Sequence, residues 1–190
     1  MDRPIVAVLA GGDSTRMGFD KAQSMVGAMT MLETVLETAA LIGDPVVVGR
    51  SAAPGDVPAM PDERADARGP LTGLETALTL HPGRTIVLVA VDHPFLRACT
   101  VEHLLSLEGD AVVPVHDGWQ QVTCAVYRPV FLAAASSVLD TGHRSIITAL
   151  DLVRTRLVHE AEWRSWGEDG RSWFGVDTPD DLADGHDRYR

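Results

Sequence analysis

The chain of 190 residues carries 27 acidic and 16 basic side chains, a net charge of −11 with neutral histidine. This acidity argues against a nucleic-acid partner, because basic faces bind phosphate backbones. The sequence shows no apolar run of about 18 residues, so no membrane association is expected. The length suits a single α/β domain over residues 1–190, and the first residues lack a secretion-signal pattern, which predicts the cytoplasm.

A glycine-rich segment follows the first apolar run. Ile5 to Leu9 predicts a central strand buried on both faces. The segment LAGGDSTRMGFDKA continues to Ala22 and contributes Arg16 and Lys21. Glycines let a ligand approach the backbone, and a strand–loop–helix junction presents N–H groups to anions. The segment matches neither the P-loop nor the dinucleotide fingerprint. It predicts a nucleoside triphosphate site of another class, with a glycine-rich turn and two solvated cations as the alternative.

Strands and helices then alternate to the end of the chain. Helical periodicity or composition predicts helices within 30–43, 72–80, 129–139 and 143–152, and apolar runs predict strands within 45–50, 85–94, 110–115, 122–127 and 155–160. A strand at 173–176, a turn and a helix capped by Thr178 with Pro179 in its first position close the chain. The pattern predicts an α/β, Rossmann-like fold with a mostly parallel sheet and helices on both faces.

Two aspartates follow predicted strands and are candidate metal ligands. Asp92 ends the strand TIVLVAV, and Asp177 follows WFGV. Ligands of parallel sheets bind beyond the carboxyl ends of the strands, so Asp92 and the glycine-rich segment are expected to meet across one crevice. A carboxylate that shares Mg²⁺ with phosphate oxygens and water is a common arrangement. The alternatives are a cap after the strand for Asp92 and a turn residue for Asp177.

Other chemically active side chains show no catalytic pattern. The histidines lack metal-ligand spacing and are predicted to lie at the surface or in caps, and Cys99 and Cys124 are predicted to be core thiols. His116 to Trp119 predicts either a hairpin turn or a loop that faces a second substrate. Trp163, Trp166 and Trp173 are expected to pack against the last strand or an interface.

Four short blocks occur in a fixed order. They are L-A-G-G-x-S-x-R-M-G-x-D-K-A at 9–22, G-P-L-x-G at 69–73, D-x-P-F-L at 92–96 and V-D-T-P-x-D-L at 176–182. Together they resemble the molybdenum cofactor guanylyltransferases of the MobA type, and the first block resembles the wider sugar-nucleotide and cofactor nucleotidyltransferase superfamily. The resemblance extends from about Ile5 to Leu182 and implies a fold of the nucleotide-diphospho-sugar transferase type.

The resemblance implies Mg²⁺-dependent transfer of GMP from GTP to the phosphate of molybdopterin, with release of pyrophosphate. Molybdoenzymes or other cofactor-biosynthesis proteins are the implied protein partners. The implied GTP-binding residues are Leu9, Ala10, Gly11, Gly12, Lys21, Asp62 and Asp92. The implied catalytic residues are Arg16, Lys21 and Asp92, and the implied metal ligands are Asp92 and, second, Asp177. Asp62 is preferred to Asp66 on its spacing from the G-P-L-x-G block alone. Gly49, Gly175 and Asp177 depart from the asparagines that many members have.

Two other functions compete with this one. A cytidylyltransferase of the same cofactor is the nearest, and such enzymes resemble L-A-A-G where this chain has L-A-G-G, so Gly11 favours a purine. A nonenzymatic nucleotide-binding regulator belongs to another class of protein. The joint presence of Arg16, Lys21 and Asp92 favours an enzyme.

Overall fold

The computed structural model describes residues 3–11, 20–61 and 69–189. Its strands are β1 (Ile5–Leu9), β2 (Met25–Val26), β3 (Met29–Thr30), β4 (Asp44–Val48), β5 (Ala59–Met60), β6 (Ile86–Ala90), β7 (Ala111–His116), β8 (Trp119–Gln120), β9 (Cys124–Tyr127) and β10 (Thr155–Val158). Its α-helices are α1 (Met31–Ile42), α2 (Pro70–Leu80), α3 (Ala98–Ser106), α4 (Phe131–Asp140), α5 (Ile146–Leu150), α6 (Glu160–Ser165) and α7 (Pro179–Arg188). Short 3₁₀ turns occur at Lys21–Gln23 and Arg171–Trp173.

One mixed sheet organises these elements. Its strand order is β10-β7-β9-β6-β1-β4-β5, with β8 paired to the end of β7. β1 is parallel to β4 and β6, β4 to β5, and β7 to β10, whereas β9 lies antiparallel between β6 and β7. The parallel strands therefore all end at the same edge, here called the carboxyl edge. The prediction of a mostly parallel sheet is confirmed.

Helices cover both faces because the central strands are apolar on both sides. Along β1, Ile5 and Ala7 join one core and Val6 and Val8 join the other, as the alternation of strand side chains requires. Each of these four residues is at most 3% exposed. Helices α2, α4 and α5 contribute to the first core, and α1, α3 and α6 to the second. The predicted α/β layering is confirmed, and none of the described helices has the length and apolar character needed to cross a bilayer.

The last helix begins as the sequence predicts. The Thr178 hydroxyl accepts a hydrogen bond from the Asp181 N–H at 3.1 Å, and the Asp181 carboxylate accepts one from the Thr178 N–H at 2.7 Å. This reciprocal pair is a capping box, and Pro179 takes the first helical position. The cap holds residues 177 and 178 in a defined geometry at the start of α7.

The strand predicted at 173–176 is wrong. Glu168 is only 3% exposed, and its carboxylate accepts hydrogen bonds from the N–H groups of Asp169, Gly170 and Ser172. It also accepts from the hydroxyls of Thr100 and Ser172, at 2.5 and 2.6 Å. Within the predicted strand, the N–H groups of Trp173 and Phe174 donate to the carbonyls of Gly170 and Arg171, at 3.2 Å each, and are not available to a strand ladder. The chain therefore makes the 3₁₀ turn Arg171–Trp173 in place of a strand.

The burial of single side chains corrects one prediction and supports two. Cys124 is buried as predicted, but Cys99 is exposed at the start of α3, so it is not a core thiol. Trp163 and Trp173 are buried with their rings 5.6 Å apart, and Trp166 stacks on a histidine of α3 at 4.9 Å. The tryptophans pack, as expected, although the last strand is absent.

Candidate active site

The end of β1 and Asp92 meet at the carboxyl edge. β1 and β6 are adjacent parallel strands, with Leu9 paired to Ala90. One residue further on, the Val91 N–H donates to the Leu9 carbonyl at 3.0 Å. Ala10 directly follows β1, and Asp92 follows β6 by two residues. The two positions therefore lie side by side at this edge. The described end of the glycine-rich segment and Asp92 thus lie at neighbouring strand ends, and the crevice between them stays a prediction.

Asp92 has an oxygen that is shielded from solvent without a hydrogen bond. Its side chain is 31% exposed overall, but Oδ1 is buried and has no hydrogen-bond partner among the described residues. That oxygen lies 3.5 Å from Nε2 of His93. Burial lowers the pKa of His93 below its ordinary value, although the charge of Asp92 acts in the opposite direction. His93 is only 7% exposed, so the prediction of a surface position is wrong for it.

The donor set at Asp92 fits a hard divalent cation. A buried carboxylate oxygen without a partner costs free energy, and Mg²⁺ binds such oxygens together with water and phosphate. Asp177 lies beside it, because the Val176 N–H donates to the Asp92 carbonyl at 2.8 Å. The Asp177 side chain is 70% exposed and makes an ion pair with Lys21. Asp92 can thus offer an unengaged oxygen, whereas Asp177 already holds a cation.

Lys21 precedes β2 in the chain, and its side chain reaches Asp177 at the start of α7. It begins the 3₁₀ turn that Asp20 caps by accepting from the Ala22 N–H at 3.1 Å. Its side chain is 22% exposed, and Nζ binds Oδ1 of Asp177. A cleft of about 230 Å³ adjoins this ion pair. The cleft is lined in part by Met25, Met31, Val176 and Thr178.

The residues at the end of β1 are held by backbone contacts with the end of β4. The N–H groups of Ala10 and Gly11 both donate to the Val48 carbonyl, at 3.0 and 3.2 Å. A Cβ on Gly11 would lie 2.6 Å from the Gly49 Cα, and Gly49 has a φ of +89°. These two N–H groups are therefore already hydrogen-bonded and are not free to donate to an anion. Gly11 is required by its close contact with Gly49, whatever the size of the base.

Several predicted site residues lie outside the described part of the chain. Gly12 and Arg16 fall in 12–19, and Asp62 and Asp66 fall in 62–68. Their predicted roles stay predictions. Leu9, Ala10, Gly11, Lys21, Asp92 and Asp177 are described, and they lie at or beside the carboxyl edge.

Sequence reasoning missed Arg50, which follows β4. Its Nε donates to the Ala10 carbonyl at 2.8 Å, and its Nη2 donates to the Asp20 carboxylate. The guanidinium thus joins the end of β1 to the turn that carries Lys21. A sequence pattern offers no sign of this contact, because it depends on β4 being the neighbour of β1.

A second group of potential ligands occurs further along the carboxyl edge. One ligand atom each of His116, Asp117 and Glu160 lie within 4.8 Å of one another. Glu160 also accepts from Nε of Arg164 at 2.8 Å. The spacing of the histidines in the sequence gave no sign of this group. Glu160 reaches it only because β10 pairs with β7.

The turn at 116–119 is a hairpin. Asp117 and Gly118 have φ values of +49° and +80° and connect β7 to β8. Positive φ at both central residues is the signature of the two-residue turns that match strand twist. Trp119 follows the turn and is 75% exposed. The hairpin interpretation is confirmed, and contact of Trp119 with a second substrate stays a prediction.

Known proteins with similar sequences or folds identify the family of this chain. The chain is 34% identical to a molybdenum cofactor guanylyltransferase from Rhizobium leguminosarum bv. trifolii, over 93% of this chain and 88% of that protein. The crystal structure of molybdopterin-guanine dinucleotide biosynthesis protein A from Archaeoglobus fulgidus superposes with a TM-score of 0.83 at 26% identity, covering 97% of each chain. A cytidylyltransferase from Thermus thermophilus, at 18% identity and a TM-score of 0.73 over 99% of this chain and 98% of that one, shares the fold. Residues 6–155 match the family described as the MobA-like NTP transferase domain, and the chain belongs to that family.

Proposed function

We propose that this chain transfers GMP from GTP to the phosphate of molybdopterin, forming molybdopterin guanine dinucleotide, and that residues 1–190 make up one nucleotidyltransferase domain. The observation that carries the proposal is the meeting of the β1 end with the unengaged oxygen of Asp92, next to the Lys21–Asp177 pair. The name of the 34% identical relative supports the same activity.

The reaction requires positioning and charge neutralisation. An oxygen of the molybdopterin phosphate forms a bond to the α-phosphorus of GTP. The bond from that phosphorus to the oxygen bridging to the β-phosphate breaks, and its electron pair leaves on pyrophosphate. The attacking phosphate is already an anion, so no side chain has to remove a proton from it. Catalysis of this kind depends on in-line orientation and on stabilising developing charge.

Asp92 is the residue proposed to hold Mg²⁺, with Asp177 as a second ligand. When bound, Mg²⁺ supplies positive charge to the phosphate oxygens. Lys21 is proposed to bind the triphosphate as a point charge. Arg16 is proposed to act at the acceptor phosphate, where a guanidinium can bind two oxygens together.

Guanine recognition is proposed for Leu9, Ala10, Gly11, Gly12 and Asp62. A carboxylate can accept hydrogen bonds from the ring N–H and the exocyclic amine of guanine together. The contact of Gly11 with Gly49 accounts for this glycine without reference to a base, so Gly11 does not by itself select a purine. Selectivity for guanine is therefore proposed to depend chiefly on Asp62. Trp119 offers a flat exposed surface on which a pterin could stack.

Calorimetric titration with GTP, ATP, CTP and UTP, each with Mg²⁺, tests the nucleotide. GTP is expected to bind most tightly, and equal affinity for GTP and ATP would contradict the role of Asp62. Preference for CTP would indicate the cytidylyltransferase. Pyrophosphate release is then measured with GTP and molybdopterin together, and binding without release would indicate a regulator in place of an enzyme.

A further inference from the structure

Arg50 connects two parts of the site that are far apart in sequence. Its Nε donates to the Ala10 carbonyl at 2.8 Å, just beyond the end of β1. Its Nη2 donates to Oδ1 of Asp20. The same Asp20 oxygen accepts from the Ala22 N–H at 3.1 Å and so caps the turn that begins at Lys21. One guanidinium therefore ties the end of β1 to the residue that precedes Lys21.

The contact is well placed to restrict motion. The Arg50 side chain is only 24% exposed. It follows the end of β4, where the Val48 carbonyl accepts from the N–H groups of Ala10 and Gly11 at 3.0 and 3.2 Å, so the ends of β1 and β4 cannot move apart without breaking these hydrogen bonds. A guanidinium that binds two partners through different nitrogens fixes their relative position, which a single ammonium does not.

We propose that Arg50 is a positioning residue for nucleotide binding, which acts through Asp20 to set the position of Lys21 relative to the end of β1. This inference rests on the proposed function, in which Lys21 binds the triphosphate. Arg50 acts on the nucleotide through the cap at Asp20 and does not touch it. Its loss displaces the Lys21 turn and leaves the charge of Lys21 in place.

Arg84 offers a matched control at the opposite edge of the sheet. Its Nε donates to the Arg3 carbonyl at 3.1 Å, and its Nη2 donates to Oδ2 of Asp44 at 2.7 Å. Its side chain is 28% exposed. Like Arg50 it binds one carbonyl and one aspartate, but it lies at the amino ends of β4 and β6. Arg84→Ala therefore reports the cost of losing such a contact away from the site.

Titration of GTP with Mg²⁺ into Arg50→Ala, Arg50→Lys and Arg84→Ala, without acceptor, measures the effect on binding. We expect the Kd for GTP to rise about tenfold in Arg50→Ala, which corresponds to the loss of about one charge-assisted hydrogen bond. Arg50→Lys should recover part of the affinity, and Arg84→Ala should bind as the unmodified chain does. In steady-state assays the KM for GTP should rise more than kcat falls. Unchanged GTP affinity in Arg50→Ala would overturn the proposal.

A double-mutant cycle with Asp20→Asn separates action through Asp20 from direct contact with GTP. Asparagine keeps the oxygen that caps the turn but loses the charge. If Arg50 acts through Asp20, Arg50→Ala with Asp20→Asn should bind GTP no worse than the weaker single variant. Additive losses would mean that Arg50 contacts the nucleotide itself and would overturn the proposal.

Amide hydrogen exchange of the ligand-free protein tests directly whether Arg50 holds the turn that carries Lys21. Arg50→Ala should speed exchange at Gln23 and Ser24, whose N–H groups donate to the carbonyls of Asp20 and Lys21 at 2.9 Å each. Arg84→Ala should not. Unmodified protein that binds no GTP would defeat the proposed function, whereas unaltered exchange in Arg50→Ala would defeat this inference.

Discussion

Removing the charge of Asp177 should strengthen GTP binding when no metal is present. Lys21 is paired with Asp177 in the structure, so a triphosphate has to displace that carboxylate before Lys21 can bind it. Asp177→Asn keeps the shape of the side chain and removes the competing charge. The capping box of Thr178 and Asp181 does not depend on the Asp177 carboxylate, so α7 should begin as before.

The size of the effect follows from the exposure of the pair. Asp177 is 70% exposed and Lys21 is 22% exposed, so solvent screens much of the attraction and the pair contributes about 0.5 to 1 kcal/mol. Its loss corresponds to about a two- to fivefold lower Kd for GTP. The gain should shrink as salt is added, because screening weakens exposed pairs first.

Calorimetric titration with GTP in a chelator, and again with Mg²⁺, measures both roles assigned to Asp177. With a chelator the variant should bind more tightly. With Mg²⁺ the gain should reverse if Asp177 is a metal ligand. Asp180→Asn removes an equal charge from the first turn of α7 and controls for net charge. The reasoning is refuted if Asp177→Asn binds metal-free GTP no more tightly than Asp180→Asn does.

Three further predictions concern the same site. Asp92→Asn should lower the rate of pyrophosphate release by about 10²- to 10³-fold and leave the thermal unfolding midpoint unchanged. Loss of secondary structure in circular dichroism would mean that Asp92 has a structural role instead. Lys21→Ala should raise the KM for GTP, and Arg16→Ala should lower kcat with GTP affinity nearly kept; equal loss of GTP binding in titrations would assign both cations to the nucleotide. Gly11→Ala should reduce the free energy of unfolding by about 1–3 kcal/mol, since its Cβ would lie 2.6 Å from the Gly49 Cα, and an unchanged urea midpoint would contradict that contact.

Local patterns in the sequence predicted the parts of the fold that local physics determines. The apolar run of β1 indicated a strand covered on both faces, and Thr178 with Pro179 indicated the start of α7. The position of Asp92 at the end of an apolar run placed it at the carboxyl edge once the strands were taken as parallel. Each of these inferences needs only neighbouring residues and the periodicity of one element.

The contacts that complete the site depend on which strands and loops become neighbours. Lys21 and Asp177 are 156 residues apart, and the contact of Arg50 with Ala10 exists because β4 lies next to β1. The strand predicted at 173–176 is replaced by a local turn, in which the N–H groups of Trp173 and Phe174 donate to the carbonyls of Gly170 and Arg171. Strand order is not readable from the periodicity of single strands, so these pairs could not be predicted from the sequence.

The two sides of the candidate site, the end of β1 and the start of α7, differ in how much change their contacts tolerate. At the end of β1, Gly11 meets the backbone of Gly49, and a single added carbon has no space unless the strands separate. At the start of α7, the Lys21–Asp177 ion pair is partly exposed, so breaking it costs about 1 kcal/mol or less. Substitutions on the β1 side should therefore act first on stability, whereas substitutions at Asp177 should act on ligand affinity. The side that is proposed to bind the triphosphate and the metal is thus the one whose contacts are weakest.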